Sequence, residues 1–160
     1  MTYRNHLSPP VFPYTWASEW GEDQYGLWMA FTYREVRHAF RWVEPGTFTM
    51  GSPATEKGRY DDEVQHQVTL SKGFWMAETP VTQALWQVVM GENPSNFKGE
   101  KRPVEQVSWN DAQAFITQLN QVHPDLNVCL PTEAQWEYAC RAGTQTPFNF
   151  GAKLSLNNAN

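Results

Sequence analysis

The sequence predicts an α+β fold, low in regular structure, with short antiparallel strands and three short helices joined by much loop. Three observations predict it. Apolar residues alternate with a period of two on both sides of a short polar break between Tyr25 and Val43. Three later segments carry the apolar spacing and start signals of helices. Prolines, 11 in 160 residues, fall mostly between these segments rather than inside them.

In chain order, residues 1–24 read as an arm rich in proline and aromatic rings, which lies on the domain through its rings. Pro9, Pro10 and Pro13 exclude a helix there. The remainder, 25–160, reads as one domain. Leu27, Met29, Phe31 and Tyr33 alternate with Trp28, Ala30 and Thr32. After Arg34-Glu35, Val36, His38, Phe40 and Trp42 alternate with Arg37, Ala39, Arg41 and Val43, which predicts a β-hairpin. Pro45-Gly46 marks a turn before a short strand at Phe48–Met50. The polar stretch 51–65 is a long loop, and such loops are usually functional or mobile. His66, Val68 and Leu70 predict another strand, and Phe74–Met76 an extended segment after the Lys72-Gly73 turn.

Thr79-Pro80 predicts a helix start, with Val81, Leu85, Val88 and Val89 sharing a face with Ala84 and Gly91 as the stop. Ser108 caps a second helix that runs through Trp109, Ala112, Phe115, Ile116 and Leu119, with Asp111 at its third position. His123-Pro124 stops it. Thr132 and Gln135 form a capping box for a third helix, in which Ala134, Trp136, Tyr138 and Ala139 are expected to cover core and Gly143 to end it. The chain closes on a polar tail from Leu154 to Asn160.

Composition bounds the function. Eight Trp, nine Phe and six Tyr argue against disorder, because such side chains demand burial or a partner. A net charge of −5 argues against a surface that tracks phosphates, so no nucleic-acid partner is expected. No stretch approaches the ~18 apolar residues of a membrane helix, and Met1–His6 does not resemble the start of a secretory leader. Cys129 and Cys140 are 11 apart, with no CxxC. They read as reduced thiols, and the expected location is cytoplasmic.

Candidate chemistry is sparse. No phosphate-binding glycine loop, GxSxG or HExxH occurs. His6, His38, His66 and His123 are scattered and read as structural groups. Asp61, Asp62 and Glu63, with His66 nearby, form the densest charged cluster. The three carboxylates, with added carbonyls, could bind Ca2+; the plainer reading is the edge of a solvated loop, because no glycine-spaced Ca2+ loop pattern surrounds them. Glu133 and Glu137 stand one helical turn apart, where an internal Arg or backbone partner is a more natural role than acid–base work.

One set of motifs is specific. Phe48-Thr-Met-Gly-Ser52, His66-Gln-Val-Thr-Leu70, Glu78-Thr-Pro-Val-Thr-Gln83, Pro103-Val-Glu-Gln-Val-Ser-Trp109, Leu130-Pro-Thr-Glu-Ala-Gln-Trp-Glu-Tyr-Ala139 and Arg141-Ala-Gly143 occur in a fixed order. In this the chain resembles the formylglycine-generating enzyme, or sulfatase-modifying factor, family over about residues 40–151. The resemblance implies a C-type-lectin-like fold. It also implies a framework role for Glu105, Ser108, Trp109, Thr132, Glu133, Trp136, Glu137 and Arg141.

The family's domains continue past the position of Phe150-Gly151. That further portion carries the calcium sites and the copper-binding cysteine pair of the oxidases. The resemblance therefore implies the N-terminal part of a domain truncated before its catalytic half. No catalytic or metal-binding residue carries over to this chain, and copper and calcium are expected only with the further portion. It also implies apolar surface left for a protein partner or self-association. Family members include oxidases, sulfoxide synthases and proteins that only display a binding surface, so the fold does not choose the activity. The expectation is a non-catalytic binding module. The alternative is one part of an oxidase that converts a protein cysteine to formylglycine with O2 and copper.

Overall fold

A computed structural model describes residues 7–151; His6 and the tail from Leu154 to Asn160 lie outside the described residues. Its elements are strands β1 (Glu19–Asp23), β2 (Gly26–Tyr33), β3 (Val36–Val43), β4 (Gly46–Met50), β5 (His66–Leu70) and β6 (Phe74–Ala77), then helices α1 (Gln83–Met90), α2 (Trp109–Val122) and α3 (Glu133–Arg141). The α+β class and the three helices are as expected.

The hairpin forms where alternation predicts it. β2 and β3 pair antiparallel with Tyr33 opposite Val36 and Trp28 opposite Arg41. Arg34 and Glu35 turn the chain with φ of 47° and 68°, the double positive φ whose twist matches that of paired strands. β1 adds antiparallel to β2, from Glu19 opposite Ala30 to Asp23 opposite Gly26. This strand lies inside the stretch 1–24. Its sequence, Glu-Trp-Gly-Glu-Asp, lacks the apolar alternation that reveals a half-buried strand, because it sits at a sheet edge with most of its residues exposed. The four-stranded sheet runs β1-β2-β3-β6; β4 and β5 form a separate two-stranded sheet.

α1 begins later than Thr79-Pro80 suggests. Thr82 is its cap and accepts from the Leu85 N–H. Val81 stays extended because its carbonyl accepts from Val104 N–H, and Thr82 bridges Pro103, so the pairing competes with an earlier helical turn. Gly91 ends the helix at φ 88°. Ser108 with Asp111, and Thr132 with Gln135, form the two capping boxes. In α3 Ala142 already takes the left-handed conformation, with Gly143 following at φ 82°.

By contact the chain falls into two compact units. One is drawn from Met1–Trp42 and Phe74–Leu130, the other from Val43–Gly73 and Pro131–Asn160. The first holds the apolar core: Phe31, Phe40, Leu85, Trp86, Val89, Phe115, Leu119 and Leu126. Trp86 and Phe115 stack at 5.0 Å, and Trp16 of the N-terminal stretch meets Phe40 edge-on at 5.9 Å. Trp136, expected to cover core, is 60% exposed instead, and Trp109 is 68% exposed. Trp109 is the first residue of α2, and the buried residues of that helix, Phe115 and Leu119, lie further along it. α3 buries no residue fully among the described ones.

Candidate functional site

The motif residues come together as two polar networks, one in each unit. In the second unit the centre is Gly51, just past β4. Its N–H donates to Glu137 Oε1 at 3.0 Å and its carbonyl accepts from Arg141 Nη2 at 2.8 Å. Arg141 Nε donates to the same Glu137 oxygen at 2.8 Å. One ion pair on α3 thus holds both backbone polar groups of a single residue, Gly51, on the two peptide units that flank it. Gly51 sits at φ 91°, and a Cβ there would lie 2.8 Å from the Val64 carbonyl, so glycine is required on both counts. Removing either charge would strand the other, each being only about a fifth exposed, at 20% and 21%.

The loop between β4 and β5 is held at its base. Buried Ser52 donates to Glu63 Oε2 at 2.7 Å and accepts from Arg59 Nε at 3.1 Å, while its N–H donates to the Glu63 carbonyl. The Ser52 hydroxyl, a backbone contact with Tyr60 and the Arg59 charge hold the Glu63 carboxyl below the usual range. His66 Nδ1 bonds the Val64 carbonyl at 2.9 Å. Glu63 and His66 are therefore engaged within the loop, while Asp61 and Asp62 stay exposed.

In the first unit the centre is Gln83, 1% exposed at the start of α1. Its Nε2 donates to the carbonyls of Phe97 and Pro103, and its Oε1 accepts from Asn93 Nδ2 and Gly99 N–H. All four valences of the amide are used, which fixes the irregular stretch 91–107. Glu105 accepts from Phe97 N–H at 2.9 Å and its own N–H donates to buried Ser95. Ser108 and Asp111 exchange cap bonds, and the Ser108 hydroxyl holds the Asp111 carboxyl below its ordinary range. Gln83, Ser95, Gly51 and Ser52 were not singled out from the sequence as site residues.

Two cavities adjoin in the second unit. One, of about 310 Å³, is lined by Thr49, Pro53, Gln65, Arg141 and Gln145. The other, of about 190 Å³, is lined by Thr47, Phe48, Thr49, Tyr138, Arg141, Gly143, Thr144 and Gln145. Cys129 and Cys140 are exposed free thiols. No group of three His, Cys, Asp or Glu side chains that could hold a metal gathers among the described residues. No helix among them is long and apolar enough to cross a membrane.

Comparison with known proteins follows the same motifs. Over 136 residues the chain is 34% identical to a protein named chaperone protein LppX from Paenibacillus barcinonensis, matching 65% of this chain and 45% of that protein. Over 90 residues it is 39% identical to the formylglycine-generating enzyme of Mus musculus, matching 56% of this chain and 22% of the enzyme. The matches thus span less than half the length of these curated relatives. Among solved structures, Treponema denticola variable protein 1 superposes with a TM-score of 0.66 at 26% identity, over 76% of this chain and 59% of that one. The model of the sulfatase-modifying factor enzyme 1-like domain matches residues 29–160. With the fold and the ordered motifs in agreement, the chain belongs to the sulfatase-modifying factor family and has its α+β fold.

Proposed function

We propose that this chain is a non-catalytic binding module of the family, working through a protein partner or a second copy of itself. One observation carries the reading. The polar residues of the family motifs are consumed internally, Glu137 and Arg141 on Gly51 and Glu105 on Phe97 N–H, whereas large apolar side chains face outward. Phe97 is 71% exposed and Trp109 68% in one unit; Tyr60 and Trp136 are exposed in the other. Exposed aromatic area with satisfied charges suits recognition, because rings supply contact area at low entropic cost. The relative named as a chaperone protein supports the same direction. Two free thiols are compatible with a reducing, cytoplasmic setting. The test is binding of the purified chain to protein and glycan arrays: reproducible capture supports the reading, and a blank across both counts against it.

A second reading is favoured by the identity to a formylglycine-generating enzyme. Here the chain is part of an oxidase acting on a protein cysteine, with O2 and copper, alongside further polypeptide. Formylglycine formation on a cysteine-containing sulfatase peptide, seen only after adding a C-terminal half of the domain, would support it.

A further inference from the structure

The two adjoining cavities of the second unit point to a small ligand, which goes beyond the protein-binding reading above. The larger, about 310 Å³, reaches the size at which small-molecule pockets begin. The smaller, about 190 Å³, shares Thr49, Arg141 and Gln145 with it. Among the described residues Arg141 is the one charged side chain that lines either. Its charge is closed by Glu137, so an anionic ligand gains little from it. The cavities also lie at the C-terminal end of α3, where the helix dipole is negative. A cationic ligand would instead meet the guanidinium. Both signs of charge are disfavoured.

The walls offer hydrogen bonding of both kinds. Arg141 spends Nε on Glu137, and Nη2 on Glu137 and the Gly51 carbonyl; its Nη1 has no partner among the described residues. Those bonds already hold the guanidinium, so its remaining N–H groups are presented at little further ordering cost. Thr49 Oγ1 accepts from Gln67 and keeps its proton to donate. Thr144 Oγ1 donates to the Arg141 carbonyl and keeps lone pairs to accept. The amide of Gln145 can do both. Phe48 and Tyr138, whose rings meet at 5.2 Å, add an apolar patch to the smaller cavity. A hydroxyl group donates and accepts at once without charge. A saturated ring carrying several hydroxyls also has C–H groups to set against an aromatic wall.

We propose that these cavities bind a neutral sugar. Its C–H face rests on the Phe48–Tyr138 patch, and its hydroxyls bond Arg141 Nη1, Thr49, Thr144 and Gln145.

The experiment is saturation-transfer NMR on the full chain with glucose, galactose, mannose and N-acetylglucosamine, and with glucosamine and glucuronate as charged counterparts. At least one neutral sugar is expected to receive saturation and to bind tenfold or more tightly, roughly, than either charged one. Gln145→Trp, a filling change at an exposed position, abolishes the transfer. Thr144→Val keeps the shape of the side chain, removes its hydroxyl and weakens binding by roughly threefold to tenfold. Circular dichroism checks that each variant folds, and Thr144→Val decides the matter alone if the bulkier change does not. Transfer unaltered in the folded variants would overturn the site. Tighter binding of glucuronate or glucosamine would overturn the neutral class. No transfer to any sugar would sink the proposal outright, while proteins captured on the arrays would still support the broader reading.

Discussion

At the scale of single residues, the structure turns on polar groups placed where only their partners make them affordable. Gln83 is the clearest. Nothing in its spacing distinguishes it from a surface residue of α1, yet it is 1% exposed and satisfied four times. Its role is set by carbonyls and N–H groups 10 to 20 residues away in sequence, in a stretch with no periodicity to read. His38 is the converse case, buried on β3 against Phe31 and Phe40. Burial depresses its pKa below the ordinary histidine value; the Arg37 charge adds to this and Glu78 opposes it. Because the folded-state pKa is the lower one, the stability from keeping this ring neutral is complete above the unfolded-state pKa of about 6.5. It falls as pH drops from there toward the folded-state pKa. Thermal melts from about pH 7.5 to 5 should show a decline that the His38→Phe variant lacks over that window. Parallel curves for the two proteins would contradict this assignment.

At the scale of elements, the caps and the hairpin were legible because their causes are local. Ser108 with Asp111, Thr132 with Gln135, and the two alternating runs around Arg34-Glu35 need only neighbouring residues to act. The start of α1 and the existence of β1 were not, since pairing with distant segments decides both. The packing of α3 on β4 belongs with these non-local effects. Gly46 leaves room for the Tyr138 hydroxyl, which would collide with any Cβ at that position. Gly46→Ala should therefore cost about 1–3 kcal/mol by overpacking. Tyr138→Phe in the Gly46→Ala background should restore part of the loss, because the colliding oxygen is gone. A double-mutant cycle by urea denaturation measures this; strictly additive effects would show that the two residues do not press on each other.

At the scale of the whole molecule, regular structure is thin and stability is uneven. Among the described residues every fully buried apolar side chain belongs to the first unit, whereas Ser52 is the one buried residue of the second. Amides of β2, β3 and α2 should accordingly exchange with solvent more slowly than those of β4, β5 and α3, a difference that hydrogen-exchange mass spectrometry reads directly. Equal protection across both sets would contradict it. Family membership was legible from the order of short motifs, which are long enough to be specific. The site was legible only as a set of framework residues, Glu105, Glu137 and Arg141 among them; that they clamp Gly51 and order the 91–107 stretch became visible only with the coordinates. The central claim is that these residues build a surface for recognition and carry out no chemistry. The most direct measurement incubates the purified chain with a cysteine-containing sulfatase peptide, oxygen and copper, and follows the peptide by mass spectrometry. The account predicts an unchanged cysteine at every time point; accumulation of the formylglycine aldehyde from this chain alone would contradict it.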